Sequence, residues 1–137
     1  MKRSRLIPLL TLIVPLLAPA GAAAEAAPPI VRQGLDAYAS DGAAAAVRAW
    51  LRGSPLESSK GIEQVQRQLQ VVEMRCGGFR GSELLTVEPI GSKTRDVTLV
   101  LEYERCPLFA RMLTYRSESG WLLTQINMNT KPEIVIE

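Results

Sequence analysis

The stretch SSKGIEQVQRQLQVVEMRCGGFRGSELLTVEPI, residues 58–90, contains the point where this chain changes period. Ile62, Val65, Leu69, Val72 and Cys76 recur at steps of three, four, three and four residues. Glu63, Gln66, Arg67, Gln70 and Glu73 fill the other side. That spacing predicts an amphipathic helix with one buried stripe, opening after Ser58-Ser59 and stopped by Gly77-Gly78. Beyond the glycines the period is two. ELLTVEPI, 83–90, reads as a first strand, with Pro89 marking an edge or a bulge.

Downstream the alternation continues. After a turn at GSKTR, 91–95, the strand DVTLVLEYE, 96–104, sets Val97, Leu99, Leu101 and Tyr103 on one face. Thr98, Glu102 and Glu104 fall largely on the other. Arg105-Cys106-Pro107 turns the chain into a third strand, LFARMLTYR, 108–116. SESG, 117–120, leads to a fourth, WLLTQINMN, 121–129, and the tail KPEIVIE can add a short extended piece. A first hairpin centred near Lys93 sets residue 106 across from residue 80. A last turn at Glu118-Ser119 opposes Tyr115 to Leu122 and brings Phe109 near Met128, with Ala110, Met112, Trp121 and Leu123 on the opposite face. Both faces are then partly apolar. One can meet helices; the other needs cover, most simply a second subunit, which would make a homodimer through the sheet face.

Upstream, Pro28-Pro29 suits the first turn of a helix whose inner face is Val31, Leu35 and Tyr38. Asp41-Gly42 breaks it, and Asp41 is placed to cap a second helix, AAAAVRAWLR, with Ala43, Val47, Trp50 and Leu51 inward. Gly53-Ser54-Pro55 ends that helix. Helices first and strands after predict an α+β fold: amino-terminal helices packed on one face of a curved four-stranded antiparallel sheet. At 137 residues and 47% apolar composition the chain fits one globular domain, here 30–137 after a linker at 25–29.

The first 24 residues read differently. Basic MKRSR is followed by apolar LIPLLTLIVPLL and the small-residue run APAGAAA. This is the pattern of a secretory signal peptide, 1–24, with cleavage after Ala22-Ala23-Ala24 or after Ala18-Pro19-Ala20. A spanning helix wants about 20 apolar residues, and three prolines interrupt this stretch, so no stable membrane anchor remains once the signal is cleaved. The expected location is the periplasm or the extracellular space. Losing Lys2, Arg3 and Arg5 from 16 basic residues leaves 13 against 14 acidic ones. A near-neutral mature chain carries no electrostatic footprint for nucleic acid.

Amino-terminal helices, a curved sheet and a closing hairpin YRSESGWLLTQINMNTKP, 115–132, with Gly120-Trp121 opening its last strand and a proline soon after Asn129-Thr130, resemble the nuclear transport factor 2-like superfamily. That resemblance implies a cone-shaped cystatin-like α+β roll, a pocket between helices and sheet, and frequent dimers. It implies no single activity. Catalytic members use acid–base groups in the pocket, and no such residue can be placed on this chain by a motif match. The candidate pocket-lining residues are Tyr38, Trp50, Leu69, Tyr103, Tyr115 and Trp121.

Histidine is absent, so acid–base chemistry would fall to Asp, Glu, Lys or Tyr. Asp36, beside Tyr38, lies off the apolar stripe and reads as a solvated helix residue. Two cysteines without histidine make no persuasive metal site, no cofactor motif is present, and Arg67, Arg75, Arg80, Arg105 and Arg111 are scattered among acids as a solvated surface. Cys76 and Cys106 are the only cysteines. In an oxidising compartment they would pair, because Cys76 lies four residues before Arg80, the expected opposite of Cys106, across flexible Gly77-Gly78. A buried free thiol and a redox-active thiol beside Arg75 or Arg105 are the alternatives.

The sequence therefore favours an exported, non-catalytic module that binds a small apolar ligand or a protein partner. The alternatives are a pocket enzyme of isomerase or dehydratase type using a carboxylate and a tyrosine, and an envelope assembly component tethered by an uncleaved amino-terminal segment.

Overall fold

The computed structural model describes residues 25–136; the expected signal peptide, 1–24, and Glu137 lie outside them. Three helices, α1 (Pro29–Asp41), α2 (Ala43–Leu51) and α3 (Ser59–Cys76), precede four strands, β1 (Phe79–Ile90), β2 (Thr94–Tyr103), β3 (Pro107–Ser117) and β4 (Gly120–Asn129). The strands form one antiparallel sheet in chain order. The fold is the α+β arrangement that the change of period predicts.

The core lies between the helices and one face of the sheet. Val97, Leu99, Leu101 and Tyr103 of β2 meet Val31, Val47, Leu69 and Val72 of the helices. Ala110 and Met112 of β3 and Leu123 of β4 complete that layer. Each is buried because alternate strand residues turn to one face and the helical stripe supplies the opposing surface. Trp50 is fully buried and donates its indole N–H to the Val31 carbonyl at 3.1 Å. Its ring occupies the space that a side chain at Gly34 would need, so α1 and α2 approach through that glycine.

Local signals resolve in part as expected. Ser58 caps α3, its hydroxyl accepting from the Gly61 N–H. Asp41 does not cap α2. It stays in the last turn of α1, and Gly42 stands at the junction with φ 92°, a conformation that favours glycine. The Gly42 N–H closes α1 on the Tyr38 carbonyl, and its carbonyl opens α2 by accepting from Ala46. The tail forms a short 3-10 turn at Pro132–Ile134 rather than an extended piece.

The sheet departs from simple hairpin counting at three places. β1 starts at Phe79, before the alternating run, and its register slips at bulges between Phe79 and Gly81 and between Leu84 and Thr86. The pairs are Ile90 with Thr94 near the turn and Phe79 with Tyr103 at the far end, so residue 80 is not the opposite of Cys106. Counting three residues onward from Phe79–Tyr103 in each direction reaches Cys76 and Cys106. Those two are joined as a disulfide, Cα to Cα 5.3 Å, and the backbone pairing continues towards them: Glu104 N–H donates to Gly78 and Arg105 N–H to Cys76. In the last hairpin Tyr115 does oppose Leu122, but a bulge opposite Leu113–Thr114 moves Phe109 to Asn129. That bulge turns Met128 to the helix side, where it pairs with Ala110 and is buried.

Two expected outcomes test this packing. Gly34→Ala places a methyl group inside the Trp50 ring and lowers stability in urea unfolding by about 1–3 kcal/mol through overpacking. Replacing both cysteines with serine removes a staple across 30 residues of sequence. The chain-entropy account sets the loss at roughly 3–4 kcal/mol, read as a lower urea midpoint than that of the oxidised protein.

Candidate functional site

Two side-chain constellations flank α3, one on each side. On the α1 side, Tyr38 and Tyr103 meet with their hydroxyls 3.0 Å apart. The Tyr38 hydroxyl donates a hydrogen bond to the Glu73 carboxylate at 2.6 Å, which leaves Tyr103 to donate to the Tyr38 oxygen. Phe79 stacks on Tyr38, centroids 3.9 Å apart, and Trp50 and Tyr103 meet that ring edge-on. Burial above all, then the hydrogen bond to Glu73, drives the Tyr38 phenol far above its ordinary range. Burial pushes Tyr103 up to about 12. Both phenols therefore stay protonated at neutral pH and act as donors, not bases. Tyr103 borders a shallow hollow of about 370 Å³ with Arg80, Glu102, Cys106 and Pro107, whereas Tyr38 and Glu73 are not among its lining residues. This chain is a packed polar strut, one helical turn from Cys76.

On the opposite side of α3 the helix stands away from β4 and leaves a groove. Gln64, Gln68 and Val71 face it from the helix, with Arg67 at the rim. Val72, Leu108 and Met128 make its apolar floor, and Asn129 and Thr130 close one end. The hollow measures about 370 Å³. A second hollow of about 230 Å³ shares Gln64, Gln68 and Met128 and runs on past Ile126 to Leu56. The two form one furrow along α3 and the second half of β4. Its one charged lining residue, Arg67, is tied to Glu63 four residues earlier on the exposed side of α3.

The face of the sheet turned from the helices is more polar than the alternation suggested. Arg111 grips both Asp96 carboxylate oxygens, with contacts of 2.6 to 3.0 Å, and this bonding holds its guanidinium above the ordinary range. Arg111 is thus an ion-pair member, not only a solvated charge. Gln125 and Asn127 stand beside the pair, with Ile90 and Leu113 around them.

The six residues singled out from sequence do not form one pocket. Tyr38 and Tyr103 are brought together in the core, and Trp50 and Leu69 are fully buried beside them. Tyr115 is 41% exposed near the end of β3. Trp121 is half-buried between the guanidinium groups of Arg95 and Arg116, 5.8 and 5.9 Å from its ring centroid. Asp36 is exposed, as a solvated helix residue would be. The groove residues Gln64, Gln68, Val71 and Met128 were not singled out. Val71 was the available signal, an apolar residue off the buried stripe and 38% exposed.

No family model matches the chain, and no match is found among curated proteins or solved structures.

The tyrosine pair carries a pH signature. A phenol whose pKa is raised on folding lends stability that is complete below its unfolded value near 10 and is lost as pH rises through the folded value. Unfolding free energy should therefore fall between pH 10 and about 12. Tyr103→Phe should make that fall shallower and remove the phenolate component near 12, leaving the still later one of Tyr38. An unchanged slope would show that the hydroxyl is not desolvated.

Proposed function

We propose that the protein is an exported, non-catalytic binding module that takes an apolar group in the furrow between α3 and β4. The observation that carries this reading is the furrow itself, an apolar floor of Val72, Leu108 and Met128 with amide and hydroxyl groups around it. Pockets of a few hundred Å³ with an apolar floor and a few polar groups are the usual form of small-ligand sites. The one carboxylate held against buried tyrosines, Glu73, lies on the other side of α3 from the furrow and already accepts from Tyr38. That weighs against an isomerase or dehydratase working there.

Export is supported by the amino-terminal sequence pattern and by the Cys76–Cys106 disulfide, a bond that persists in oxidising compartments. The order of elements, helices followed by a curved sheet, supports likeness to the nuclear transport factor 2-like superfamily. The open sheet face gives a second subunit less apolar surface to bury than the sequence suggested, because Asp96 and Arg111 occupy its middle.

Gln68 is exposed on the groove wall, so Gln68→Trp fills the furrow from its rim without touching the core. Stability should stay within about 0.5 kcal/mol. Binding of a neutral fluorescent probe, N-phenylnaphthylamine, should weaken at least about tenfold, equivalent to about 1.4 kcal/mol. A folded variant that binds the probe as the parent does would remove the furrow as the site.

A further inference from the structure

The sheet has two edges, and they are built differently. β1 is interrupted by two bulges and carries Pro89 together with the charges of Arg80, Glu83 and Glu88. These are the devices by which proteins keep an edge strand from pairing. β4, GWLLTQINMN, contains no charge and no proline. Its first half is covered: the Ser54 hydroxyl of the loop after α2 donates to the Leu123 carbonyl. Its second half, Gln125–Asn129, is not. Among the described residues, no backbone hydrogen bond reaches those five residues apart from the ladder to β3. Alternate N–H and C=O groups of such a strand point outward and lack partners in the fold.

The furrow runs along this same half of the strand. Ile126 and Met128 face the helix side, opposite Met112 and Ala110. Gln125, Asn127 and Asn129 face the other way. A strand laid on this edge would send every second side chain towards Gln64, Gln68 and Val71, into the two hollows. No carboxylate lines them, and their one cation is already paired with Glu63. A charged side chain entering there would go unpaired, at a desolvation cost that an apolar one avoids.

Resting on the furrow as the binding site, we propose that its ligand is polypeptide: an extended, uncharged partner segment that pairs with Gln125–Asn129 as a fifth strand and seats alternate apolar side chains against α3. This is strand addition, in which main-chain hydrogen bonds supply affinity and the flanking slots supply selectivity. A second copy of this chain fits the edge less well. The helix-side residues of its β4, Met128 among them, are already packed beneath its own α3 and cannot fill the furrow of a neighbour.

The test uses two synthetic peptides, capped Lys-Thr-Val-Thr-Val-Thr-Val-Thr-Lys and the same peptide N-methylated at alternate amides. Hydrogen exchange of the protein is followed residue by residue, with N-phenylnaphthylamine present in a parallel series. The unmodified peptide should displace the probe and slow exchange of alternate amides within Gln125–Asn129 by at least about tenfold. The N-methylated peptide, which keeps the side chains and loses the donors, should do neither. Equal binding of both peptides, or displacement without protection of β4, overturns strand addition. If the probe binds in the furrow and the unmodified peptide leaves both readouts unchanged, the peptide proposal falls while the furrow remains a small-ligand site. If Gln68→Trp also leaves probe binding unchanged, both readings fall. Protection of the same amides without peptide in a concentration-dependent dimer would assign the edge to a second copy and also overturn the proposal.

Discussion

The corner where α3 ends and β2 turns into β3 is the constraint on which the rest depends. Three kinds of interaction converge there. The Cys76–Cys106 bond joins helix to turn covalently. Two backbone hydrogen bonds, from Glu104 to Gly78 and from Arg105 to Cys76, extend the β1–β2 pairing up to the helix end. One turn earlier, Glu73 accepts from Tyr38, and Tyr38 meets Tyr103, so α1, α3 and β2 share one buried polar chain. Gly77 is part of the same design. Its φ of 85° turns the chain out of the helix, and a side chain there would collide with Glu104. Such a chain is costly if half-satisfied and rigidifying if complete. Among the described residues no buried side-chain polar atom is left without a partner.

This anchorage explains why the two sides of α3 differ. Its C-terminal end is fixed to the β1–β2 side by the staple and the tyrosines. The buried stripe Val65, Leu69, Val72 and Cys76 then sets which way the helix faces. What remains is the span over the β4 edge, where Gln64 and Gln68 replace apolar residues and no side chain closes the gap. The furrow is thus the complement of the anchor: the same helix is packed on one flank and open on the other. Val71 and Val72 show the division within two residues, one 38% exposed at the groove and one 8% exposed on its floor.

Much of the fold was legible because periodicity reports burial directly. The three-four repeat of α3 and the alternation of Val97, Leu99, Leu101 and Tyr103 each name one face, and those faces do meet. The cysteine pairing was legible as well, although through a register that was wrong in detail. Bulges are the reason. An extra residue in a strand depends on what its partner does, and none of Arg80, Leu85 and Thr124 announces one alone. The consequences were unequal. The slips in β1 brought the register into line with Cys76. The one in β4 turned Met128 from the open face into the groove floor and so hid the candidate site. The Tyr38–Tyr103–Glu73 chain was half legible: both tyrosines lie on apolar faces and a buried hydroxyl needs a partner, but the two are 65 residues apart. Glu73 sits on the flank of the stripe, where helical position alone cannot separate a solvated carboxylate from one folded over a tyrosine.

The staple also carries a large share of the stability. A domain of this size is held by about 5–15 kcal/mol in total, so a bond contributing roughly 3–4 kcal/mol is a large share. Its removal would act most on the α3 end and the β2–β3 corner, because those are the pieces it joins. The Tyr38–Glu73 bond would then have to hold the helix without a covalent neighbour, and its own strength depends on staying desolvated. The staple and the furrow share α3: the bond fixes its C-terminal end, and Val71 and Val72, about one turn earlier, line the groove.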